Sequence, residues 1–256
     1  MDKDLGISVV IITKNEADNI ADALKSVNWA RDVIVVDSGS TDDTVAIARR
    51  YTDRVITRNW QGYGSQKNYA TKLALHDWVL SLDADERISP ALAQELSKLM
   101  RELPTMQGYR IPRTNYYLGR WIRSTDWYPD HQLRLYDRRV SRWNLRHVHE
   151  SVTVGGAIGT LKSDIHHFSH RSVSHHLSTI DLYTTLWVKQ MLMENRRTHW
   201  LRLIIDPPIV FLRNYLWRKG FLDGVPGLIV SLMNSYYVLL KFVKLWESQT
   251  QNLTRR

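Results

Sequence analysis

At 256 residues and 43% apolar side chains, the chain has room for one large core, or for one domain and a small appendage. It has no cysteine, which excludes disulfides, thiolate metal sites and thiol nucleophiles; its first six residues lack the basic-then-apolar pattern of a secretory signal, so a cytoplasmic location is expected. The net charge of +9 asks for an anionic partner: nucleic acid, an anionic membrane face or a phosphorylated small molecule.

The first ninety residues alternate strand and helix. A β-branched run at 7–12 predicts a first strand, and apolar spacing over 19–27 predicts a helix. Residues 33–36 predict a second strand ending at Asp37, after which Thr41 opens a helix with Asp42 and Asp43 in its first turn. A short strand at 54–57, a glycine loop and a helix over 65–75 come next. The run 78–82 reads as a buried strand, and Ser89-Pro90 starts a helix reaching about Met100. This order predicts a parallel sheet with right-handed crossovers.

After Gly108 the pattern changes. Residues 109–113, 133–136 and 151–154 read as strands in a mixed extension of the sheet with long loops. Positive charge and most of the 10 Trp fall in this later part, a composition closer to a sugar and lipid-headgroup surface than to a sequence-specific DNA reader. From Ser172 the chain reads as helical. One helix covers 172–195, Pro207-Pro208 breaks the next apolar stretch, and a last helix covers 228–246. The uncharged run 225–240 is short of the roughly 20 residues that span a bilayer. Arg213, Arg218, Lys219, Lys241 and Lys244 among these apolar residues predict amphipathic helices lying in a membrane interface; packing on the domain or on a partner subunit is the alternative. The expected division is 1–171 and 172–256.

The strand over 78–82 ends in Asp83 and Asp85, with no basic neighbour before Arg87. Ligands of open α/β sheets sit beyond the carboxyl ends of the strands. Two acids there repel unless a cation offsets them, and Mg²⁺ or Mn²⁺ takes one or two carboxylates with phosphate oxygens and water. The other strand ends agree, Thr13-Lys14-Asn15-Glu16 and Asp37-Ser38-Gly39-Ser40, as does Gly64-Ser65-Gln66-Lys67-Asn68 where the glycine loop enters the 65–75 helix. Asp37 suits a ribose hydroxyl or a uracil N–H, and Lys67 a phosphate. The series Arg110, Arg113, Arg120, Arg123, Arg134, Arg138, Arg139, Arg142 and Arg146 reads either as a grip on an anionic acceptor or as solvated surface.

Together with Val9-Val10-Ile11-Ile12, these motifs resemble the family 2 glycosyltransferases. The resemblance covers most of the chain and implies the GT-A fold, a nucleotide-sugar-binding α/β domain, here with a C-terminal amphipathic helical extension. His147-Val148-His149-Glu150, His167-Phe168-Ser169 and Gly220-Phe221-Leu222-Asp223-Gly224 are similar to the branch that adds glucose to inner-core heptose of lipopolysaccharide. The resemblance implies that Thr13, Asn15 and Glu16 line the nucleotide pocket, with Asp37 on the uridine and Lys67 and Asp83 near the nucleotide. It also implies Asp85, with Asp83, as the metal motif, His167 reaching the metal or diphosphate with His166 as its competitor, and Glu150 as general base.

The expectation is an inverting transferase using UDP-glucose and a divalent cation, peripheral on the cytoplasmic face of the inner membrane, with a lipopolysaccharide inner-core acceptor and no nucleic acid partner. The same chemistry on a lipid-linked polysaccharide is the alternative acceptor reading. Asp126 and Asp130 are the other candidates for the base. A non-catalytic nucleic-acid-binding protein rests on charge alone, and acids at the strand end argue against it.

Overall fold

The computed structural model describes residues 5–146, 150–170 and 172–254. The chain forms two compact units, one of Met1–Arg113 and Asp130–His167, the other of Thr114–Pro129 and Phe168–Arg256.

The first unit is built on β1 (Ile7–Thr13), every residue of which is buried. It pairs in parallel with β2 (Asp32–Asp37) on one side and β4 (Trp78–Asp83) on the other, and β2 pairs in parallel with β3 (Val55–Thr57). A strand buried on both faces can be almost wholly apolar, and here only Ser8 and the terminal Thr13 are polar. The register sets Thr13 opposite Asp37 and Ile12 opposite Asp83, so three expected site residues finish side by side at one sheet edge. Beyond β4 the sheet turns antiparallel through β8 (Asp130–Asp137) and β6 (Gly108–Tyr117), then β12 (Ile165–His170) and β5 (Glu86–Ile88). β11 (Ile158–Thr160) joins β6 in parallel.

Helices α1 (Ile20–Ser26), α2 (Thr44–Ala48), α3 (Tyr63–Leu73) and α4 (Pro90–Arg101) flank this sheet, with apolar clusters on both faces. Ser89 caps α4 by accepting from the Leu92 N–H, ahead of the proline at its first position. α2 starts at Thr44 rather than Thr41. Asp42 is diverted from the helix: it accepts from Thr44 and from the Ala17 N–H, so residues 40–43 tie two loops together. The strand expected at 151–154 is β10 (Val152–Val154). It pairs with β9 (Ser141–Trp143) in a separate two-stranded sheet instead of extending the main one.

In the second unit the last residues of β6 pair with β7 (Arg120–Ile122). α5 (Val173–Met193) starts at its Ser172 cap, and α7 (Gly224–Thr254) packs along both α5 and α6 (Leu201–Leu212). Pro207-Pro208 does not break α6. The helix runs through both, passes into a π-helical turn at Arg213–Trp217, and the Ser235 hydroxyl donates to the Pro207 carbonyl. Packing on α7 outweighs the local cost of two missing N–H donors. The Gly220–Asp223 turn comes after it. A Cβ on Gly220 would meet the Asn214 carbonyl and the Ser231 hydroxyl at 2.9 Å, and Asp223 accepts from the Arg123 N–H at 3.0 Å and the Ser124 hydroxyl at 2.5 Å. The Gly220–Gly224 motif therefore holds the 123–125 loop. Among the described residues one helical stretch, Gly220–Thr250, is long and apolar enough to cross a membrane by length and composition. It continues past the 225–240 run through Lys241 and Lys244, which have partners within the unit.

Candidate active site

The site lies in the first unit. Asp83, at the end of β4, accepts a 2.5 Å hydrogen bond from the Arg134 guanidinium and lies 3.1 Å from the Lys67 ammonium. Burial works to raise the Asp83 pKa, but Arg134 and then Lys67 overcome it and hold the carboxyl well below the ordinary carboxylate range. Arg134 also donates to Glu86 at 2.6 Å. Glu86 is fully buried, accepts from Arg113 at 3.1 Å and receives the Asp83 N–H at 3.0 Å. Arg113 in turn donates to Asp130 through two nitrogens, at 2.6 and 2.8 Å. The acids at this strand end thus meet two arginines and a lysine brought from β6, β8 and α3.

These contacts correct the electrostatic expectation drawn from the sequence. Asp83 and Asp85 do not need a metal to offset their repulsion, because Arg134 and Lys67 already neutralise Asp83. Likewise Arg113 and Arg134 are internal counter-ions, not acceptor grips, and Asp130 is the partner of Arg113. Asp126, in the second unit, is engaged by Arg213, Arg218 and Asn214.

Lys67 is only 3% exposed. Its ammonium lies 3.0 Å from Glu150 as well as 3.1 Å from Asp83, over the Trp143 ring at 4.5 Å from the centroid. Helix α3 carries this contact and two more. Asn68 donates to the Trp143 carbonyl at 2.9 Å and accepts the Trp143 N–H at 3.0 Å. Gly64 packs so closely that a Cβ there would overlap the Asn144 backbone carbonyl. One helix face therefore seats the segment that leads to Glu150. His147, Val148 and His149 lie outside the described residues.

On the other side of Asp83, Asp85 Oδ2 lies 3.2 Å from His167 Nε2. Burial works to raise the Asp85 pKa, and His167 outweighs it, leaving the group below its ordinary value. Successive residues of a strand face opposite ways; on β12 His167 is the one that reaches the acid, while His166 is registered with Arg87.

The profile of the family described as Glycosyl transferase family 2 matches residues 8–167, which span Lys67, Asp83, Asp85, Glu86, Arg113, Arg134, Glu150 and His167. The chain belongs to glycosyltransferase family 2. A lipopolysaccharide core biosynthesis glycosyltransferase, LpsC, from Rhizobium meliloti (strain 1021) is 30% identical over 250 residues, covering 95% of this chain and 93% of its own. An uncharacterized glycosyltransferase from Rickettsia conorii (strain ATCC VR-613 / Malish 7) is 29% identical over 267 residues, 96% and 92% of the two chains. The crystal structure of S. aureus TarS 1-349 in complex with UDP-GlcNAc overlays with a TM-score of 0.50 at 15% identity, covering 96% and 92%, a likeness of fold. The family 2 glycosyltransferase accordingly has a GT-A-type fold and is an enzyme.

Its remaining expected residues gather at the ends of β1 and β2. Asp37 uses both carboxylate oxygens on its own turn, accepting from the Gly39 and Ser40 N–H groups at 2.9 Å and from the Ser40 hydroxyl at 2.5 Å. Asn15, at φ 55°, a conformation Asn tolerates better than most residues, clasps the same loop: its N–H donates to Ser40 Oγ and its Oδ1 accepts the Thr41 N–H, both at 2.8 Å. Glu16 accepts from the Asn19 amide at 2.8 Å. Thr13 differs from them. Its hydroxyl is buried and has no hydrogen-bond partner among the described residues.

The donor set fits the divalent cation that the family 2 reading implies, in the following sense. Asp85 and His167 meet at 3.2 Å as a hydrogen-bonded pair, and a carboxylate oxygen and an imidazole nitrogen are both ligand types such an ion accepts. Among the described residues no cluster of three or more His, Cys, Asp or Glu side chains is arranged to hold a metal. Two protein donors suit an ion that fills its other positions with phosphate oxygens and water.

Sequence reasoning missed Glu86, Trp143, Gly64 and the pairing of Arg134 and Arg113 with the acids. Glu86 follows Asp85 directly; its burial was the missing fact. Two predictions arise here. In Arg134→Met, Glu86 and Asp83 lose their shared cation inside the protein, and stability should fall by about 3–5 kcal/mol in urea unfolding. Because the folded pKa of Asp83 lies below its unfolded value, its contribution is complete above about pH 5 and is lost as pH falls through the unfolded value near 4 and on toward the folded value. The wild-type melting temperature should therefore drop between about pH 5 and pH 3, and drop less in Arg134→Met. In Gly64→Ala the Asn144 backbone must shift from α3. The expected result is a fall in kcat of about tenfold or more, with donor KM nearly kept, since misplacing a catalytic group costs chiefly turnover.

Proposed function

We propose that this family 2 glycosyltransferase is an inverting, metal-dependent hexosyltransferase, moving glucose from UDP-glucose onto an inner-core heptose of lipopolysaccharide at the cytoplasmic face of the inner membrane. Similarity to a lipopolysaccharide core glycosyltransferase over nearly the whole of both chains supports the acceptor class. The observation that carries the catalytic part is the Lys67 bridge: Glu150, 83 residues away in sequence, stands 3.0 Å from the same ammonium that meets Asp83. A candidate base and the strand-end acids thus share one site.

In this reading Glu150 takes the proton from the acceptor hydroxyl as its oxygen attacks the anomeric carbon, and a single displacement inverts the configuration. Lys67 holds Glu150 in place and keeps positive charge beside the developing UDP. Thr13, with Asn15, Glu16 and Asp37 shaping the loop around it, receives the nucleotide. Asp85 and His167 would hold Mg²⁺ or Mn²⁺, which when bound supplies positive charge to the departing diphosphate. Asp83 anchors Lys67 and Arg134.

The test is UDP release from a panel of nucleotide sugars, with and without Mn²⁺, together with mass analysis of lipopolysaccharide from cells lacking the protein. A core short of one hexose, restored by the gene, is the expected result. An unchanged core with no turnover of any nucleotide sugar would reverse it.

A further inference from the structure

In the second unit exposed apolar side chains are concentrated in one place. Of the 26 exposed large hydrophobic residues among those described, 11 fall within residues 200–225, on α6 and the turns after it. Ile204, Ile209 and Leu216 are each more than half exposed, Leu222 is 64% and Trp217 is 87%. A patch of this kind marks an interaction surface. Trp200 and Trp217 are among these exposed side chains, and Trp is a residue type enriched at membrane–water interfaces.

Cations outnumber acids around it, even with Asp126 paired to Arg213 and Arg218 and Glu194 beside Arg196. Residues 196–225 contain Arg196, Arg197, Arg202, Arg213, Arg218 and Lys219 against Asp206 and Asp223. Asp223 is buried under Arg123 and Ser124, and Asp206 is held by Arg202 at 2.9 Å. Cations flanking exposed apolar side chains complement a negatively charged bilayer.

Sequence had placed this role partly on the last helix, and its lysines point elsewhere. Lys244 donates to Asp181, Thr184 and Thr185 of α5, and Lys241 lies over the rings of Trp187, Tyr237 and Phe242. α7 is the helix against which α5 and α6 pack.

We propose that α6 and the turns through residue 225 are the surface by which the protein lies on an anionic lipid bilayer, a proposal that rests on the membrane-face reading above and assigns it to one element. At 12 residues α6 is about 18 Å long, well short of a roughly 30 Å hydrocarbon core, so it lies along the interface. A second copy of the chain is the competing occupant, and the experiment separates the two.

The experiment is co-sedimentation of the full chain with vesicles of phosphatidylcholine alone or with about 30% phosphatidylglycerol. Wild type should pellet with the anionic vesicles, and less so as salt rises. The pair Ile204→Ser/Ile209→Ser and the pair Trp217→Ser/Leu222→Ser should each weaken partitioning by about tenfold or more. Leu75→Ser, an exposed leucine of the first unit, should bind as wild type.

Circular dichroism confirms that the variants fold, and UDP release in lipid-free buffer should stay at the wild-type rate. Variants that pellet like wild type, equal binding to both vesicle types, or retention after alkaline carbonate extraction would each overturn the proposal. A change only in oligomeric state, with vesicle binding untouched, would overturn it in favour of a second copy. If wild type binds vesicles but releases UDP from no nucleotide sugar, the transferase reading fails and the surface stands.

Discussion

Replacing Glu150 by Gln should lower kcat by about 10²–10⁴-fold, the usual worth of a general base. The substitution keeps size and hydrogen bonding but removes the group that accepts the acceptor's proton. Lys67 retains Asp83 at 3.1 Å, so the ammonium is not left alone in the interior, and the fold should survive. Donor KM and UDP affinity should change little, because Glu150 acts on the acceptor side of the reaction. Steady-state kinetics with a purified core acceptor reads this directly. Activity within a few-fold of wild type in a well-folded E150Q protein would move the base to another residue. A large rise in donor KM with kcat kept would instead make Glu150 part of nucleotide binding.

Asp85→Asn should be nearly as damaging, for a different reason. Asp85 is the strand-end acid that faces an imidazole, while Asp83 already spends its oxygens on Arg134 and Lys67. The amide keeps the shape and withdraws the negative charge that a divalent ion requires. A metal at a departing diphosphate contributes several kcal/mol, so kcat/KM should fall by about 10³-fold. The residual activity should be insensitive to Mn²⁺ or Mg²⁺. His167→Ala removes the second donor and should act in the same direction to a smaller extent. Asp83→Asn should behave otherwise: Arg134 and Lys67 lose their shared counter-charge, and stability falls along with turnover. Comparing thermal melts of the two Asn variants separates the metal position from the anchoring one.

The parallel half of the fold was legible because β1 and β4 are apolar but for one serine each, and each stops abruptly in polar residues. That rule placed Thr13, Asp37 and Asp83 together, and the strand register sets them side by side. The antiparallel half was less legible. Strands as short as Glu86–Ile88 and Ser141–Trp143 carry too few residues for a period to register, and they are defined by their partners. The electrostatics of the site lay beyond local reading altogether. Asp83 appeared bare because its neighbours in sequence are apolar or acidic; its cations come from positions 67 and 134. The same limit made Arg113 and Arg134 look like surface charges. In the C-terminal part, Pro207-Pro208 misled because local helix cost was weighed without the packing of α6 on α7. Lys241 and Lys244 misled because nothing in a single helix tells which side its neighbours occupy.

Titration calorimetry of UDP into the purified protein, with and without Mn²⁺ or Mg²⁺, tests the central claim most directly. UDP should bind at least about tenfold more tightly with the ion in wild type, and this gain should disappear in Asp85→Asn while metal-free affinity is kept. Equal UDP affinity with and without either ion, or an undiminished gain in the Asp85→Asn protein, would contradict it.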